Sequence, residues 1–155
     1  MTRPVPAISK KVLPPHWVLT CALLEVGLHV LFPVSHWVAP GWRGLGAVVA
    51  APGLFLAGWA FALFRRAKTG LVPFSEASTL VAKGPYRFTR NPMYVGMASL
   101  VLGLAVALGS LSALVGPVLF VVLIDRLFVQ HEERQLEAAF GPAYLAYRSK
   151  VRRWL

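Results

Sequence analysis

Residues 97–130 read MASLVLGLAVALGSLSALVGPVLFVVLIDRLFVQ, a stretch that is almost entirely apolar and has Gly109 and Ser110 near its middle. A transmembrane helix needs about 20 predominantly apolar residues, so this stretch is close to the length of two crossings. Gly109-Ser110 leaves almost no room for a connection, which predicts a tight hairpin of two antiparallel helices. Polar segments flank the hairpin: GPYRFTRNPMYVG at 84–96 and HEERQLEAAFGPAYLAYRSKVRRW at 131–154. This arrangement predicts a site at the membrane surface, built from both ends of the hairpin.

The composition of the chain favours a bilayer as its solvent. The 155 residues are enough for one domain, and they are 57% hydrophobic and only 14% charged, whereas soluble domains carry about 25% charged residues. The net charge of +10 could indicate nucleic acid binding, but the charges lie between long apolar runs rather than on one soluble face. We therefore expect a lipid bilayer as partner, and no nucleic acid. Cys21 is the single cysteine, so no intrachain disulfide is possible, and we expect it to be buried.

Four apolar stretches predict an all-α fold, an integral membrane helical bundle of about four transmembrane helices. The remainder is predicted to form a cytosolic loop and a C-terminal interfacial helix, within a single domain of residues 1–155. The first stretch follows basic residues and two prolines without an evident cleavage site, so we expect a retained span rather than a signal peptide. The predicted spans are residues 17–34, 45–64, 93–108 and 111–129.

The distribution of Lys and Arg predicts the orientation. If both termini are cytosolic, fifteen of the sixteen basic residues lie on the cytosolic side and only Arg43 lies opposite. That bias is the one found in membrane proteins. It predicts a multi-pass protein with both termini in the cytosol, in the inner membrane if the source is bacterial. Residues 70–94 and 130–154 would then both face the cytosol.

The loop before the third span has a constrained backbone. Pro85 and Pro92 fix their own φ angles and restrict the residues that precede them. Pro92 suits the first turn of a helix, and the free N–H groups of that turn favour an anionic group such as a carboxylate. Asn91 and Tyr94 would lie beside it. The alternative is a basic loop that contacts lipid headgroups.

The tail after Gln130 has helical spacing, with a break at Gly141-Pro142 that predicts two helical pieces. It begins with Glu132 and Glu133. Adjacent carboxylates are not explained by binding to anionic lipid, which favours cations. They could pair with arginines of the loop, or bind a cationic ligand or ribose hydroxyls. We expect the tail to lie along the membrane and close over the site.

Two further polar features lie in or near the spans. Glu25 and His29 are four residues apart, so they share one helix face and can form a hydrogen bond. The pair could contact a substrate or be a satisfied pair inside the bundle, since ionisable residues within spans are costly. Arg126 could orient an anionic acceptor at the cytosolic end of the fourth span. The chain has no HExxH, CxxC or phosphate-binding glycine loop, so we expect no metal site.

The two polar segments together resemble the isoprenylcysteine carboxyl methyltransferase family and its phospholipid methyltransferase relatives. The resemblance covers about residues 70–154 and includes STLV at 78–81, GPYRFTRNPMYVG and EERQLEAAFGPAYLAYRSKV. It implies S-adenosylmethionine as cofactor at the cytosolic face. Many members have His at the position of Asn91, and Asn cannot carry a charge there. The cofactor-binding residues that the resemblance implies are Ser78, Thr79, Leu80, Val81, Tyr86, Asn91, Pro92, Met93, Tyr94, Glu132 and Glu133, with Arg126 and Glu25 as candidates for substrate binding.

The resemblance implies a membrane methyltransferase that acts on a lipophilic acceptor. A carboxylate acceptor is already ionised near neutral pH, whereas an amine must first lose a proton and would need a base. Only His131 is a neutral-pH base near the expected site. This favours a carboxylate, as in isoprenylcysteine, or another O or S atom over phospholipid or amine N-methylation. An NADPH-dependent membrane reductase and a non-catalytic membrane adaptor remain the alternatives from other classes, and the sequence does not determine the acceptor or the oligomeric state.

Overall fold

The computed structural model describes residues 13–67 and 80–155, and all regular structure in these two ranges is helical. Two isolated bridges, His36 with Ser110 and Thr89 with Arg152, are the additional backbone pairings within the described ranges. The all-α fold that the sequence predicts is therefore confirmed. The helices are α1 (Pro14–Leu31), α2 (Leu45–Arg66), α3 (Pro92–Leu108), α4 (Val115–Ile124), α5 (Gln130–Phe140) and α6 (Pro142–Arg148).

Prolines and glycines set the ends of these helices. Pro14, Pro92 and Pro142 each stand at the start of a helix, where the missing N–H has no helical partner to lose. Gly109 ends α3 with φ +76°, a left-handed conformation that glycine adopts without steric penalty. A 3₁₀ turn, Leu111–Leu114, then leads into α4. The hairpin thus reverses within the few residues that the sequence allows.

The fourth predicted span continues directly into the tail, which the sequence did not indicate. After α4 the backbone widens into a π-helical turn, Asp125–Val129, and then resumes as α5 without a loop. Such π turns are rare and occur often at functional sites. The extra residue in the turn rotates α5 relative to α4. The predicted break at Gly141-Pro142 is confirmed, since α5 ends at Phe140 and α6 begins at Pro142.

The helices α2 and α3 run antiparallel and approach so closely that their backbones touch at two pairs of glycines. Gly46 lies against Gly103, and Gly53 lies against Gly96. A Cβ atom on Gly53 would lie 2.8 Å from the carbonyl oxygen of Gly96. Small residues at such positions let membrane helices pack closely, and they gain van der Waals contact that larger side chains would prevent.

The outer surface of the bundle is apolar, as expected for a protein in a bilayer. Leu23 and Leu31 on α1 are 65% and 71% exposed, and Phe55 on α2 is 71% exposed. Among the described residues, the stretches Pro40–Arg66 and Leu111–Phe140 are long and apolar enough to cross a membrane. The helix α3 is apolar but has 17 residues, and α1 has 18 residues that include Glu25. Cys21 is fully buried, as predicted.

The predicted hydrogen bond between Glu25 and His29 is wrong. His29 instead forms a hydrogen bond with Ser110, at the turn between α3 and α4, with 2.9 Å between Nδ1 of His29 and Oγ of Ser110. Glu25 is fully buried, its side chain packs on Gly116 of α4, and within the described residues neither carboxylate oxygen has a hydrogen-bond partner. The two side chains therefore have different tertiary contacts, Glu25 with α4 and His29 with the turn that precedes it.

We predict that Gly53→Ala destabilises the protein by about 1–3 kcal/mol, because overpacking a close contact forces the backbones apart. Thermal unfolding in detergent, followed by circular dichroism, measures the change. Gly58→Ala on the same helix is the matched control, since a Cβ atom there meets no atom within 4 Å. Equal unfolding temperatures for the two variants would contradict the importance of the glycine contact.

Candidate functional site

A pocket lies at the end of the helical hairpin formed by α3 and α4, where α2 ends and α3 begins. Its cavity has a volume of about 80 Å³ and is mostly apolar. Five segments of the described chain contribute to its walls, so it forms only when the bundle and the tail pack together. The lining residues are Phe64, Leu80, Val81, Tyr86, Arg90, Asn91, Met93, Tyr94, Glu132, Glu133, Leu136, Tyr144 and Tyr147.

One wall is a short 3₁₀ turn, Gly84–Arg87, held against the end of α2. Gly84 has φ +58° and would bring a Cβ atom to 2.7 Å from a methyl carbon of Leu63, so glycine suits both the conformation and the space. The rings of Tyr86 and Phe64 lie 5.3 Å apart. The hydroxyl of Tyr147 in α6 donates a hydrogen bond of 2.7 Å to the carbonyl oxygen of Tyr86. The tail therefore closes over the loop, as the sequence predicted.

Glu132 is one of the two carboxylates that line the pocket. The hydroxyl of Tyr94 donates a hydrogen bond of 2.8 Å to its Oε1 atom. Glu132 lies beyond Val129, where the apolar part of the helix ends. Burial raises its pKa to about 7, although the hydrogen bond from Tyr94 lowers it in part. A cationic ligand in the pocket would favour the ionised form and thus bind well.

Glu133 has a different role, because it is bound by two arginines. Arg153 makes a two-pronged contact with it, from Nε to Oε1 at 3.1 Å and from Nη2 to Oε2 at 2.6 Å. Arg90 approaches from the loop, with Nη2 at 3.3 Å from Oε1. Both carboxylates line the cavity, but adjacent residues on a helix point about 100° apart, so Glu132 bonds to Tyr94 while Glu133 ties the tail to the loop.

The last residues of the chain hold the loop in place through their backbone. The amide of Arg90 donates to the carbonyl oxygen of Arg152 at 2.9 Å. The next carbonyl oxygen, of Arg153, accepts from Thr89 Oγ1 at 3.1 Å and from Asn91 Nδ2 at 2.9 Å. We call residues 151–154 the C-terminal strap. Asn91, predicted to bind the cofactor, therefore uses its side-chain donor within the protein.

Buried donors in the pocket wall lack protein partners. The Nε and Nη1 atoms of Arg90 and the hydroxyls of Tyr86 and Tyr144 have no hydrogen-bond partner in the described part of the chain. The Arg90 side chain is only 10% exposed. Buried polar groups without partners are uncommon in folded proteins, and these suit an anionic or polar ligand group. No group of three or more His, Cys, Asp or Glu side chains within residues 13–67 and 80–155 is placed to hold a metal ion.

The structure brings most of the predicted cofactor residues together. Ser78 and Thr79 lie outside the described residues. Pro92 is buried at the start of α3 but does not line the cavity. The residues that line it are Leu80, Val81, Tyr86, Asn91, Met93, Tyr94, Glu132 and Glu133.

The two residues predicted to bind substrate are not in the pocket. Arg126 is exposed on the π-helical turn, and Glu25 is buried between α1 and α4. The neighbouring Asp125 instead binds the C-terminal strap, because Arg153 Nη1 and Trp154 Nε1 lie 3.4 Å and 3.3 Å from its Oδ1 atom. The substrate-binding roles of Arg126 and Glu25 stay predictions, and the position of neither residue supports such a role.

Sequence reasoning missed several lining residues of the tail and of α2. Leu136, Tyr144 and Tyr147 line the cavity, and together with Phe140 they recur every three or four residues, which could have indicated a helix face turned toward the site. Phe64 had no comparable signal, and it lines the pocket because α2 extends past the start of α3. Arg90 also lines the pocket, and its contact with Glu133 agrees with the predicted pairing of the tail carboxylates with arginines of the loop.

Comparison with known proteins adds a family match. The model of the phospholipid methyltransferase family matches residues 42–143. The protein-S-isoprenylcysteine O-methyltransferase of Schizosaccharomyces pombe is 30% identical over 127 residues, which is 80% of this chain and 50% of that protein. An uncharacterised protein of Haemophilus influenzae is 36% identical over 63 residues, which is 41% of this chain and 100% of that protein.

The fold is also similar to a solved structure, the eukaryotic intramembrane Ras methyltransferase ICMT (isoprenylcysteine carboxyl methyltransferase). The TM-score is 0.68 at 21% sequence identity, and the match covers 91% of this chain and 51% of that chain. At this identity the likeness concerns the fold. The chain spans about half the length of both the fission yeast protein and the solved structure.

We predict that Arg153→Met destabilises the folded protein by about 1–3 kcal/mol, because Glu133 is buried and would lose its two-pronged partner. Thermal unfolding in detergent tests this. Arg148→Met is the control: Arg148 and Glu137 form an ion pair in which both side chains are 44% exposed, and such pairs contribute at most about 1 kcal/mol. A larger effect of Arg148→Met than of Arg153→Met would contradict the importance of the strap.

Proposed function

The chain belongs to the phospholipid methyltransferase family, and we propose that it transfers the methyl group of S-adenosylmethionine to a lipophilic acceptor at the cytosolic surface of a membrane. We place both termini in the cytosol, with four spans, on the basis of the Lys and Arg distribution. The observation that carries the proposal is the pocket itself. It combines one carboxylate bound by Tyr94, Glu132, and one buried guanidinium, Arg90, whose Nε and Nη1 atoms have no partner in the described part of the chain, within mostly apolar walls.

This set of side chains fits the donor molecule. The methionyl end of S-adenosylmethionine carries an ammonium and a carboxylate, and its sulfonium supplies an electrophilic methyl group. Glu132 would bind the ammonium, and Arg90 with the Tyr144 hydroxyl would bind the carboxylate. Apolar side chains such as Leu136 and Val81 would contact the less polar parts. The cavity of about 80 Å³ is smaller than the whole molecule, so we expect lining side chains to move on binding.

The role of the protein in such a reaction is to align the reactants. Methyl transfer is an in-line displacement, so holding acceptor and donor in the right geometry supplies much of the rate. The ionisable groups that line the pocket in the described part of the chain are Glu132, Glu133, Arg90 and four tyrosines. Burial raises the pKa of Tyr147 to about 12, so it stays protonated and serves as a hydrogen-bond donor.

We propose a carboxylate acceptor of the isoprenylcysteine type. A carboxylate is ionised at neutral pH and needs no general base, which suits a pocket with these groups. The name of the fission yeast relative is consistent with this acceptor. N-methylation of a phospholipid or another amine is the alternative, and identification of the labelled product distinguishes the two.

We predict that the protein in liposomes, given S-adenosylmethionine with a labelled methyl group and N-acetyl-S-farnesylcysteine, forms a labelled methyl ester detectable by mass spectrometry. In isothermal titration in detergent, Glu132→Gln should weaken S-adenosylmethionine binding by about tenfold or more, because the charged partner of the ammonium is lost.

The exposed Arg126 supplies the control, since Arg126→Gln should leave that affinity unchanged. Unaltered S-adenosylmethionine affinity in Glu132→Gln would refute the assignment of the carboxylate. Binding of NADPH in place of S-adenosylmethionine would overturn the proposed reaction and favour a reductase.

We predict that S-adenosylmethionine affinity falls as the pH drops through about 7, the value to which burial raises the pKa of Glu132. The ammonium binds the ionised carboxylate, so affinity is highest above this pH and decreases by up to about tenfold per pH unit below it. Isothermal titrations from about one pH unit below this value to about one unit above it measure the slope. Glu132→Gln should remove the slope, and a native slope that persists in this variant would assign it to another group.

A further inference from the structure

Glu25 lies in the middle of α1, does not line the pocket, and is enclosed by the helices around it. Its exposed fraction is 0%, and neither oxygen of its carboxyl group has a hydrogen-bond partner among the described residues. The fold makes room for this group, because Gly116 of α4 carries no Cβ atom where the carboxyl group lies. A buried polar group without a partner is uncommon and needs a physical explanation.

The elements packed against Glu25 supply no charge that would balance an ionised carboxylate. The helix α4 and the turn before it, Leu111–Leu114, contain no ionisable side chain, and that of α3 is Tyr94, at the pocket end. On α1 itself, Cys21 and His29 lie one helical turn away on either side. Burying an unpaired charge costs far more than burying a neutral acid. The surroundings therefore favour a carboxyl group that carries its proton.

The apolar core closes the side of Glu25 that faces the pocket. Phe120 and Ile124 follow Gly116 by one and two turns of α4, and they are fully buried in one cluster with Val101. None of these three core side chains has a group that donates or accepts a hydrogen bond. A proton on Glu25 therefore has no side-chain path through this cluster toward the pocket.

The opposite side of Glu25 leads to a chain of hydrogen-bonding side chains. His29 Nδ1 is 2.9 Å from Ser110 Oγ, and Ser112 Oγ is 3.1 Å from Ser110 Oγ and 3.4 Å from the carbonyl oxygen of Leu28. The hydroxyl hydrogen of Ser112 can point to either acceptor. Pointing to Ser110, it leaves the Ser110 hydroxyl free to donate to His29; pointing to Leu28, it lets Ser110 accept from His29. The chain thus suits His29 with or without a proton on Nδ1, as a proton relay requires.

We propose that Glu25 is a proton-binding site inside the membrane, which exchanges its proton through His29, Ser110 and Ser112 at the end of the bundle opposite the pocket. Acidic residues and histidines in series form proton relays in membrane proteins. Loss of the proton would place an uncompensated charge against Gly116 and weaken the packing of α1 on α4. The site needs no methyl donor, so this inference does not depend on the proposed function.

Infrared spectroscopy of the full-length protein in nanodiscs tests the proton on Glu25 directly. The carbonyl band of a protonated carboxyl group lies at higher frequency than the carboxylate bands, and the chain has only six acidic residues. Glu132 has a pKa of about 7, so spectra are recorded about two pH units above that value, where Glu132 is ionised. We expect a protonated-carboxyl band that Glu25→Gln removes and that Glu137→Gln, at a half-exposed ion pair, retains.

A native spectrum without a protonated-carboxyl band at that pH would overturn the proposal, whether or not Glu25→Gln folds. A band that persists unchanged in folded Glu25→Gln would overturn it as well, because the proton would then belong to another residue.

The rate at which the band shifts after transfer to heavy water tests the route. Ser110→Ala breaks the link between His29 and Ser112, so exchange must wait for local opening of the helices and should slow by about tenfold or more. Ser99→Ala is the matched control, since the Ser99 hydroxyl bonds to the carbonyl oxygen of Val95 within α3, and it should leave the rate unchanged. Equal exchange rates in the two serine variants would overturn the proposed relay.

Discussion

The close contact between α2 and α3 positions everything else in the molecule. Two glycine pairs, seven residues apart on each helix, let the backbones touch and set the helices at one register. Because this register lets α2 extend past the start of α3, its last turns are available to support the Gly84–Arg87 turn and to place Phe64 beside Tyr86. A bulkier residue at either pair would separate α2 from the loop, and the pocket would lose one of its walls.

The second constraint is the C-terminal strap, which joins chain segments more than sixty residues apart. The carbonyl oxygen of Arg152 accepts a hydrogen bond from the amide of Arg90, and that of Arg153 accepts from the side chains of Thr89 and Asn91. The Arg153 side chain binds Glu133. The strap thereby fixes the loop and the tail relative to each other. Glu133 pairs with Arg153 and with one nitrogen of Arg90, whereas Glu132 accepts a hydrogen bond from Tyr94. Neighbouring carboxylates acquire separate roles because the helix directs them to different surroundings.

The two ends of the bundle differ in chemistry. At one end the α3–α4 turn is joined to α1 through His29 and Ser110, with Ser112 as a further partner at 3.1 Å from the Ser110 hydroxyl. At the other end charged groups surround an apolar cavity. The proposed reaction of a charged donor with a lipophilic acceptor requires polar and apolar contacts in one site, and this end of the bundle provides both.

The sequence by itself determined the helical class, the hairpin around Gly109, the break at Gly141-Pro142 and the grouping of most of the pocket residues. These follow from local chemistry: apolar length, proline and glycine conformations, and motifs whose residues are near in sequence. Only the tertiary structure decided that Glu25 and His29 do not bond to each other, that Asn91 bonds to the strap and that Phe64 and Tyr144 join the site. The physical reason is that hydrogen-bond partners and cavity walls depend on distances between segments far apart in the chain. A periodic pattern shows which face of a helix is apolar, but the packing of α2 on α3 and of the strap on the loop determines what that face meets.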